Sequence, residues 1–526
     1  MVQRGGIGRR AAVRGARSRL GSRGRLPLTL ALFVWLAAGG AGRAHAQARA
    51  NPRTIGQDEL RAFDQYVERA VRDWNVPGLA IALVHGDSMI FARGYGVREV
   101  GRPDRVDEHT RFAIGSTTKA MTTAAVAMLI DEGKLSWDDR VIEYIPELRL
   151  YDPYATRELT VRDLLTHRTG LPGTDFYWGA AGYTIEEMIP RLEHVEPVAS
   201  FRTQWIYQNV VYALAGELVE RVSGRPWHEF VRERIFVPLG MNETEPLDGD
   251  ILQKPNVVSP HNARGDSLFV VPQRSVDNVA SVGSVWSSVA DMSKWMRFML
   301  DSARVNGRPL IRPETFREIV TPEVRAPLSI YTSLELVKPY ALMYALGWFV
   351  HDFDGDIVWM HTGSINGLSA IVGLLPRHRF GVVVLVNRDH AELRHALMYR
   401  AFDLARGTVG RDWSTDVRRL LETEARRAAQ TVSSPAPASL PLAAYAGSYS
   451  HPGYADLQVR LDGNTLRARV NDGPEYPLTH QSHDAFRAAA PGGSGGYTLV
   501  FDPDGLGGVS GVRMSGILFR RVDAGR

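Results

Sequence analysis

Along Asp58–Asn75, Leu60, Phe63, Val67 and Val71 recur at spacings of three and four, which predicts an amphipathic helix. Two apolar runs follow, Gly78–Val84 and Met89–Tyr95. They flank His85-Gly86-Asp87-Ser88 and predict a β-hairpin. The run Ala120–Ile130 predicts a helix over 116–132, closed by Gly133 as a C-terminal glycine cap. Residues 140–300 read mostly as helices joined by Pro- and Gly-rich connections. Strand-like runs return at Leu346–Val350, Ile357–His361, Ala370–Leu375 and Gly381–Asn387, and His390–Arg406 reads as a last helix. Strands thus lie at both ends of this region with helices between them; pattern alone does not fix how they pair.

Beyond Arg406 the pattern changes. Asp412–Ala429 reads as a charged connecting helix, and Thr431–Leu440 is a Ser/Pro/Ala-rich linker. From Tyr445 onward apolar residues alternate with polar ones: Leu457, Val459 and Leu461, then Leu466, Ala468 and Val470, then Tyr497, Leu499 and Phe501, then Ile517 and Phe519. Asp462-Gly463-Asn464 and Asn471-Asp472-Gly473 supply turns. Short strands at this spacing predict a small antiparallel sheet or barrel.

The first 46 residues carry nine arginines and no acid. They include an apolar stretch, Leu26–Ala38, and end in Ala44-His45-Ala46, the form of a secretory signal peptide. The apolar run is shorter than the ~20 residues a membrane span needs, and a retained N-terminal anchor is the alternative. The whole chain has 62 basic and 58 acidic residues. Removing nine arginines and no acid with the leader leaves a net charge of −5. The mature protein therefore offers no electrostatic reason to bind nucleic acid. The absence of cysteine excludes disulfides, thiolate metal sites and a lipid-modified cysteine. No metal-ligand spacing or internal repeat is present, and no cofactor is implied. About 480 mature residues predict more than one domain.

Ser116-Thr117-Thr118-Lys119 is the only Ser-x-x-Lys in the chain, and it opens the Ala120–Ile130 helix. Residues i and i+3 share a helix face, beside an N-terminus that favours developing negative charge. Serine needs a base to become a nucleophile, and a lysine discharged by burial is such a base. An N-cap serine followed by a solvated lysine is the plainer reading. Composition argues against it: only five of the 62 basic residues are lysines (119, 134, 254, 294 and 338). Arginine cannot accept a proton, and lysine can.

Tyr207-Gln208-Asn209 lies 91 residues downstream of Ser116, and His361-Thr362-Gly363 lies 154 residues further. Ser-x-x-Lys, Tyr-x-Asn and (Lys/His)-(Ser/Thr)-Gly in this order resemble the serine β-lactamase and penicillin-binding-protein superfamily. The Tyr-x-Asn form resembles its class C branch, which also holds esterases and D-amino-acid peptidases of the S12 type. Leu164-Leu165-Thr166-His167-Arg168-Thr169-Gly170-Leu171-Pro172, Pro238-Leu239-Gly240-Met241 and Gly283-Ser284-Val285-Trp286-Ser287-Ser288 with Asp291-Met292 resemble further segments of that branch. The resemblance covers roughly residues 58–406. The Leu442-x-x-Tyr445-x-Gly447-x-Tyr449 opening resembles the lipocalin-like C-terminal domain of some S12-type hydrolases. The resemblance implies an α+β fold: an antiparallel sheet built from both termini, flanked by helices, with a helical subdomain, followed by a small all-β barrel-like domain. The expected divisions are 1–46 signal peptide, 47–410 hydrolase domain, 411–440 connecting helix and linker, and 441–526 C-terminal domain.

Carried over by the resemblance, Ser116 is the acylated nucleophile. Lys119 and Tyr207 are the two candidate bases, a choice the sequence leaves open. Asn209 contacts Lys119 or a substrate amide. His361, Thr362, Gly363 and Ser364 line the substrate, on an edge strand, with the N–H groups of Ser116 and Ser364 as the oxyanion hole. The family often has Lys where His361 stands. Imidazole titrates near pH 6.5, so a fixed cation for a substrate carboxylate is in doubt, which argues against efficient penicillin hydrolysis. Gly492-Gly493-Ser494-Gly495-Gly496 matches Gly-x-Ser-x-Gly literally, but it reads as a loop between strands rather than the strand–turn–helix that motif needs. His167 reads as structural. The expectation is an exported serine hydrolase, periplasmic or extracellular, acting on a peptide or small molecule through an acyl-enzyme. A D-amino-acid peptidase or esterase is favoured; a β-lactamase or a non-turnover sensor is the alternative. Oligomeric state stays open.

Overall fold

The computed structural model describes residues 53–173, 175–179, 181–408, 410–431, 436–489 and 496–522. The leader and Ser494 lie outside these residues. In chain order the main elements of the larger region are α1 (Gln57–Asp73), β1 (Gly78–His85), β2 (Ser88–Gly96), α2 (Thr118–Asp131), α3 (Asp175–Gly179), α4 (Asn209–Ser223) and α5 (Val289–Leu300). There follow β3 (Val324–Ala326), β4 (Leu342–Tyr344), β5 (Phe349–Phe353), β6 (Asp356–Ile365), β7 (Leu368–Leu375), β8 (Phe380–Val386), α6 (Leu393–Arg406) and α7 (Trp413–Thr431).

The strands form one sheet in the order β2-β1-β8-β7-β6-β5-β4-β3, every neighbouring pair antiparallel. The N-terminal hairpin joins the last strand of the region, Leu79 opposite Val386. Both faces are covered, so β1 is buried along its length. Leu79, Ile81 and Leu83 enter a core with α1 and α6, while Ala80, Ala82 and Val84 enter a second core with α2, α4 and α5. A continuous apolar run is what such a strand requires.

Two details differ from the sequence expectation. Leu346–Val350 is not one strand: β4 and β5 flank a turn at Gly347, which has φ +82°. A Cβ there would lie 2.8 Å from the Tyr212 hydroxyl, so the turn is pressed against α4. Nor is the His361-Thr362-Gly363 strand a sheet edge, because β6 lies between β7 and β5. However, β5 pairs only as far as Phe349 opposite Met360, while β7 pairs on through Ile365. Residues 361–365 thus have one side free of strand pairing, and the site opens there.

Residues 447–489 and 496–522 form a closed antiparallel barrel: β9 (Gly447–His451), β10 (Ala455–Asp462), β11 (Thr465–Val470), β12 (Glu475–Ser482), β13 (Ala485–Ala489), β14 (Gly496–Pro503), β15 (Val509–Met514) and β16 (Ile517–Val522). Pairing of β9 with β16 closes it. Tyr449, Leu457, Val459, Leu466, Leu499, Phe501, Val512 and Phe519 are buried and fill its interior, the outcome of period-two alternation on a closed sheet. The stretch read as a linker is in its second half tied to this barrel. Ala436 N–H donates to Ser482 Oγ at 3.2 Å, and Ser439 Oγ donates to Asp484 Oδ1 at 2.8 Å. Among the described residues no helix is long and apolar enough to cross a membrane.

Candidate active site

Ser116 lies in a single 3₁₀ turn, Gly115–Thr117, that runs directly into α2. The turn starts at Gly115, which has φ +52°. Gly363 of β6 passes so close that a Cβ on it would stand 1.9 Å from the Ile114 carbonyl oxygen and 3.0 Å from the Ser116 nitrogen. A Cβ on Gly115 would stand 2.7 Å from the Ser364 nitrogen. Two glycines therefore let the backbone amides of Ser116 and Ser364 converge.

One turn later Lys119 is fully buried. Its Nζ lies 3.1 Å from Ser116 Oγ, 2.7 Å from Asn209 Oδ1 and 3.1 Å from the Val282 carbonyl oxygen. Two of these partners only accept hydrogen bonds, whereas the serine hydroxyl can also donate. A neutral amine has two N–H bonds and one lone pair. It can donate to Asn209 and Val282 and receive the serine proton. Burial pulls the Lys119 ammonium down to about 7, against the opposing charge of Asp175.

Tyr207 precedes α4, and its phenol lies close enough to the Ser116 side chain for the serine to favour the phenolate. Burial raises its phenol well above the ordinary value, and the serine contact only partly offsets this. Lys119 Nζ faces the ring of Tyr207, 4.9 Å from its centroid. His167 backs the same ring at 4.2 Å between centroids, and its Nδ1 accepts the Gln208 N–H at 3.1 Å. With φ +57°, complete burial, and a pKa held well below the ordinary value by burial and the Lys119 charge, His167 is a neutral support for Tyr207.

His361 departs from the sequence expectation. It is 2 % exposed; Nε2 contacts the Tyr344 hydroxyl at 3.1 Å and Nδ1 the Thr362 carbonyl at 2.6 Å. Burial, together with the Lys119 charge, takes it to about 3. It borders the cleft as a neutral ring and does not gain charge near pH 6.5, because the unperturbed value presumes a solvated imidazole. Thr362 Oγ1 shares a hydrogen bond of 2.8 Å with the Tyr331 hydroxyl. Arg394 braces the back of the strand, donating from Nη1 to the Gly363 carbonyl at 2.7 Å and to Ser364 Oγ at 2.8 Å, and from Nη2 to Glu392 at 3.2 Å.

Ser116, Tyr207, Asn209, His361, Thr362 and Ser364 thus line one cleft of about 470 Å³, with Lys119 beneath it. Sequence reading missed Asp175, Tyr331 and Arg394 on its wall. Asp175 accepts from Asn209 Nδ2 at 2.7 Å; its one signal was its place just after the Leu164–Pro172 segment. Tyr331 and Arg394 carry no local signal, since their contacts lie across sheet strands. Among the described residues no group of three or more His, Asp or Glu could hold a metal ion.

The Beta-lactamase family profile matches residues 63–406. The chain belongs to the beta-lactamase family. A second profile, the domain of unknown function DUF3471, matches residues 432–522 of this family member. Its curated relatives include the unguisins hydrolase ungD of Aspergillus violaceofuscus (strain CBS 115571), 29 % identical over 436 residues that cover 76 % of each chain. Protein flp of Staphylococcus aureus (strain MW2) is 24 % identical over 63 % of this chain and 64 % of its own. Among solved structures, the octameric penicillin-binding protein homologue from Pyrococcus abyssi superposes with a TM-score of 0.60 at 21 % identity, covering 88 % of this chain and 99 % of that one. The class C beta lactamase from Rhodobacter sphaeroides gives 0.53 at 20 % identity, covering 65 % and 98 %. Both likenesses bear out the expected beta-lactamase-like fold.

Proposed function

We propose that this chain is an exported serine hydrolase that cleaves an amide or ester through an acyl-enzyme on Ser116. The observation that carries this reading is the Ser116 Oγ–Lys119 Nζ contact of 3.1 Å, in which the buried amine's other two partners are pure acceptors. Lys119, neutral above about pH 7, takes the serine proton. Tyr207, a phenol at rest, gives its proton to the leaving group and regains one from the Lys119 ammonium, which returns the lysine to its neutral form. The amides of Ser116 and Ser364 hold the oxyanion, and water then cleaves the acyl ester. Residues 47–410 carry this chemistry, 411–440 connect, and 441–526 form an accessory barrel. The leader, 1–46, directs the protein to the periplasm or the extracellular space.

The favoured substrates are simple esters, or D-amino-acid peptides bound mostly by their backbone, rather than substrates held by a carboxylate, as β-lactams are. His361 is neutral, Nη1 and Nη2 of Arg394 donate to Gly363, Ser364 and Glu392, His390 is paired with Asp389 at 2.9 Å, and the exposed Asp175 carboxylate faces the cleft. The names of the unguisins hydrolases agree with a hydrolytic role. The test is mass spectrometry of the full chain with a fluorophosphonate, a chromogenic β-lactam, a nitrophenyl ester and D-alanyl peptides. A Ser116 adduct with steady turnover of an ester or peptide supports the reading. An adduct on Ser494, or a stoichiometric burst without turnover, overturns it; preferential β-lactam turnover overturns the substrate assignment.

A further inference from the structure

α3 is a single helical turn that carries Asp175 to the catalytic lysine's partner. Asp175 Oδ1 accepts from Asn209 Nδ2 at 2.7 Å and from Trp178 Nε1 at 3.1 Å. The carboxylate takes the amide's NH₂, so the Asn209 carbonyl is left facing Lys119. Reversing the amide would set an N–H donor against the amine's own N–H bonds. Asp175 is thus one residue removed from the proton acceptor of the reaction.

Much of what holds α3 comes from the barrel. Tyr177 of α3 is buried and stacks on Tyr454, which precedes β10, with centroids 4.6 Å apart and ring planes 9° from parallel. Gly453 beside it fits so tightly that a Cβ would stand 2.9 Å from His194 Cβ and 3.2 Å from the Tyr177 hydroxyl. The Tyr183 hydroxyl, just past α3, accepts from Asn471 Nδ2 of the β11–β12 turn at 3.1 Å. The Tyr497 hydroxyl of β14 would lie 3.7 Å from a Cβ on Gly179. Three separate barrel segments therefore grip five residues and their flank. From the hydrolase side, Asn278 Nδ2 donates to the Trp178 and Tyr183 carbonyls at 3.2 and 2.8 Å.

We propose that Asp175 is a positioning residue that sets the Asn209–Lys119 contact, and that the C-terminal barrel holds it in place. The barrel is then part of the catalytic apparatus rather than a separable appendage. This rests on Ser116 and Lys119 being the reactive pair. Lys119 is faced by Asp175, by the rings of Tyr207 and Tyr212, and by His167 and His361, both kept neutral, with Arg394 beyond His361. Arg274 and Tyr497 lie near Asp175 on the barrel side. Asp175 is the charge that raises the lysine's pKa. Its loss has two separable effects: slower acylation, and an acid limb displaced to lower pH.

The experiment measures the rate of Ser116 labelling by a fluorophosphonate against pH, in full-length protein checked for folding by circular dichroism. For Asp175→Asn we expect labelling slower by on the order of 10- to 100-fold and an acid limb lowered by about half a unit or more. Tyr454→Ala and the milder Tyr183→Phe should slow labelling and move the limb the same way by less, while Tyr454→Phe, which keeps the stacked ring, should match wild type. An unchanged limb in Asp175→Asn overturns the positioning role. A shifted Asp175→Asn with wild-type profiles in both folded tyrosine variants overturns the barrel's part. Failure of the wild type to label at Ser116 overturns the hydrolase reading itself, and this inference with it.

Discussion

Lys119→Met tests the buried amine without reference to any substrate. In the folded protein Lys119 titrates at about 7 instead of the ordinary 10.5. The gap corresponds to about 5 kcal/mol at about 1.36 kcal/mol per unit. Between those values the unfolded chain carries the lysine proton and the folded chain does not. Stability therefore rises with pH in that window, by about 1.4 kcal/mol per unit. Below pH 7 both states bind the proton, and the contribution is lost in full; above 10.5 neither does, and nothing more is gained. Methionine keeps the volume but does not titrate. It also removes the hydrogen bonds to Asn209 and Val282, a loss that does not vary with pH and cancels when two pH values are compared. Urea unfolding of wild type and Lys119→Met at pH 7.5 and 9.5 should show the wild type gaining about 3 kcal/mol relative to the variant across that interval. Parallel stability curves would refute the reasoning, because the lysine would then be an ordinary ammonium at neutral pH and no base.

Lys119→Arg keeps the charge but cannot discharge, so turnover should fall by roughly 10²–10⁴-fold; near-normal turnover would make Lys119 a structural residue. Wild-type acylation should rise with pH through about 7, as Lys119 loses its proton, and a flat profile from pH 6 to 8 counts against that assignment. Gly363→Ala puts a methyl group 1.9 Å from the Ile114 carbonyl oxygen, and acylation should drop by about 10²–10³-fold, the loss expected when one oxyanion donor is displaced; wild-type rates would show that Ser364 does not serve the hole. His361 stays neutral across pH 6–8, so the affinity of a carboxylate-bearing inhibitor should follow the same pH curve in wild type and His361→Gln. A histidine-dependent gain on acidification would restore it as the carboxylate's partner.

The chain's own order determined a good deal. The i, i+3 spacing of Ser116 and Lys119 places both on one helix face wherever that helix sits, and the alternation from Leu457 to Phe519 prescribes a two-faced sheet. The run from Gly78 to Val84 prescribes a strand, because these are local periodicities of the backbone itself. Tertiary structure decided the rest. His361 looked like a titrating imidazole because its unperturbed pKa is a property of the residue in water, and only the packing of Phe349 and Tyr344 around it removes that water. The Gly347 turn was hidden because the contact that fixes it comes from Tyr212, far away in sequence. Asp175 and Tyr454 carry no periodic signal at all. Asp175 meets Asn209 across 34 residues of sequence, and Tyr454 meets Tyr177 across more than 250; both meetings are set by tertiary packing, which no local pattern records.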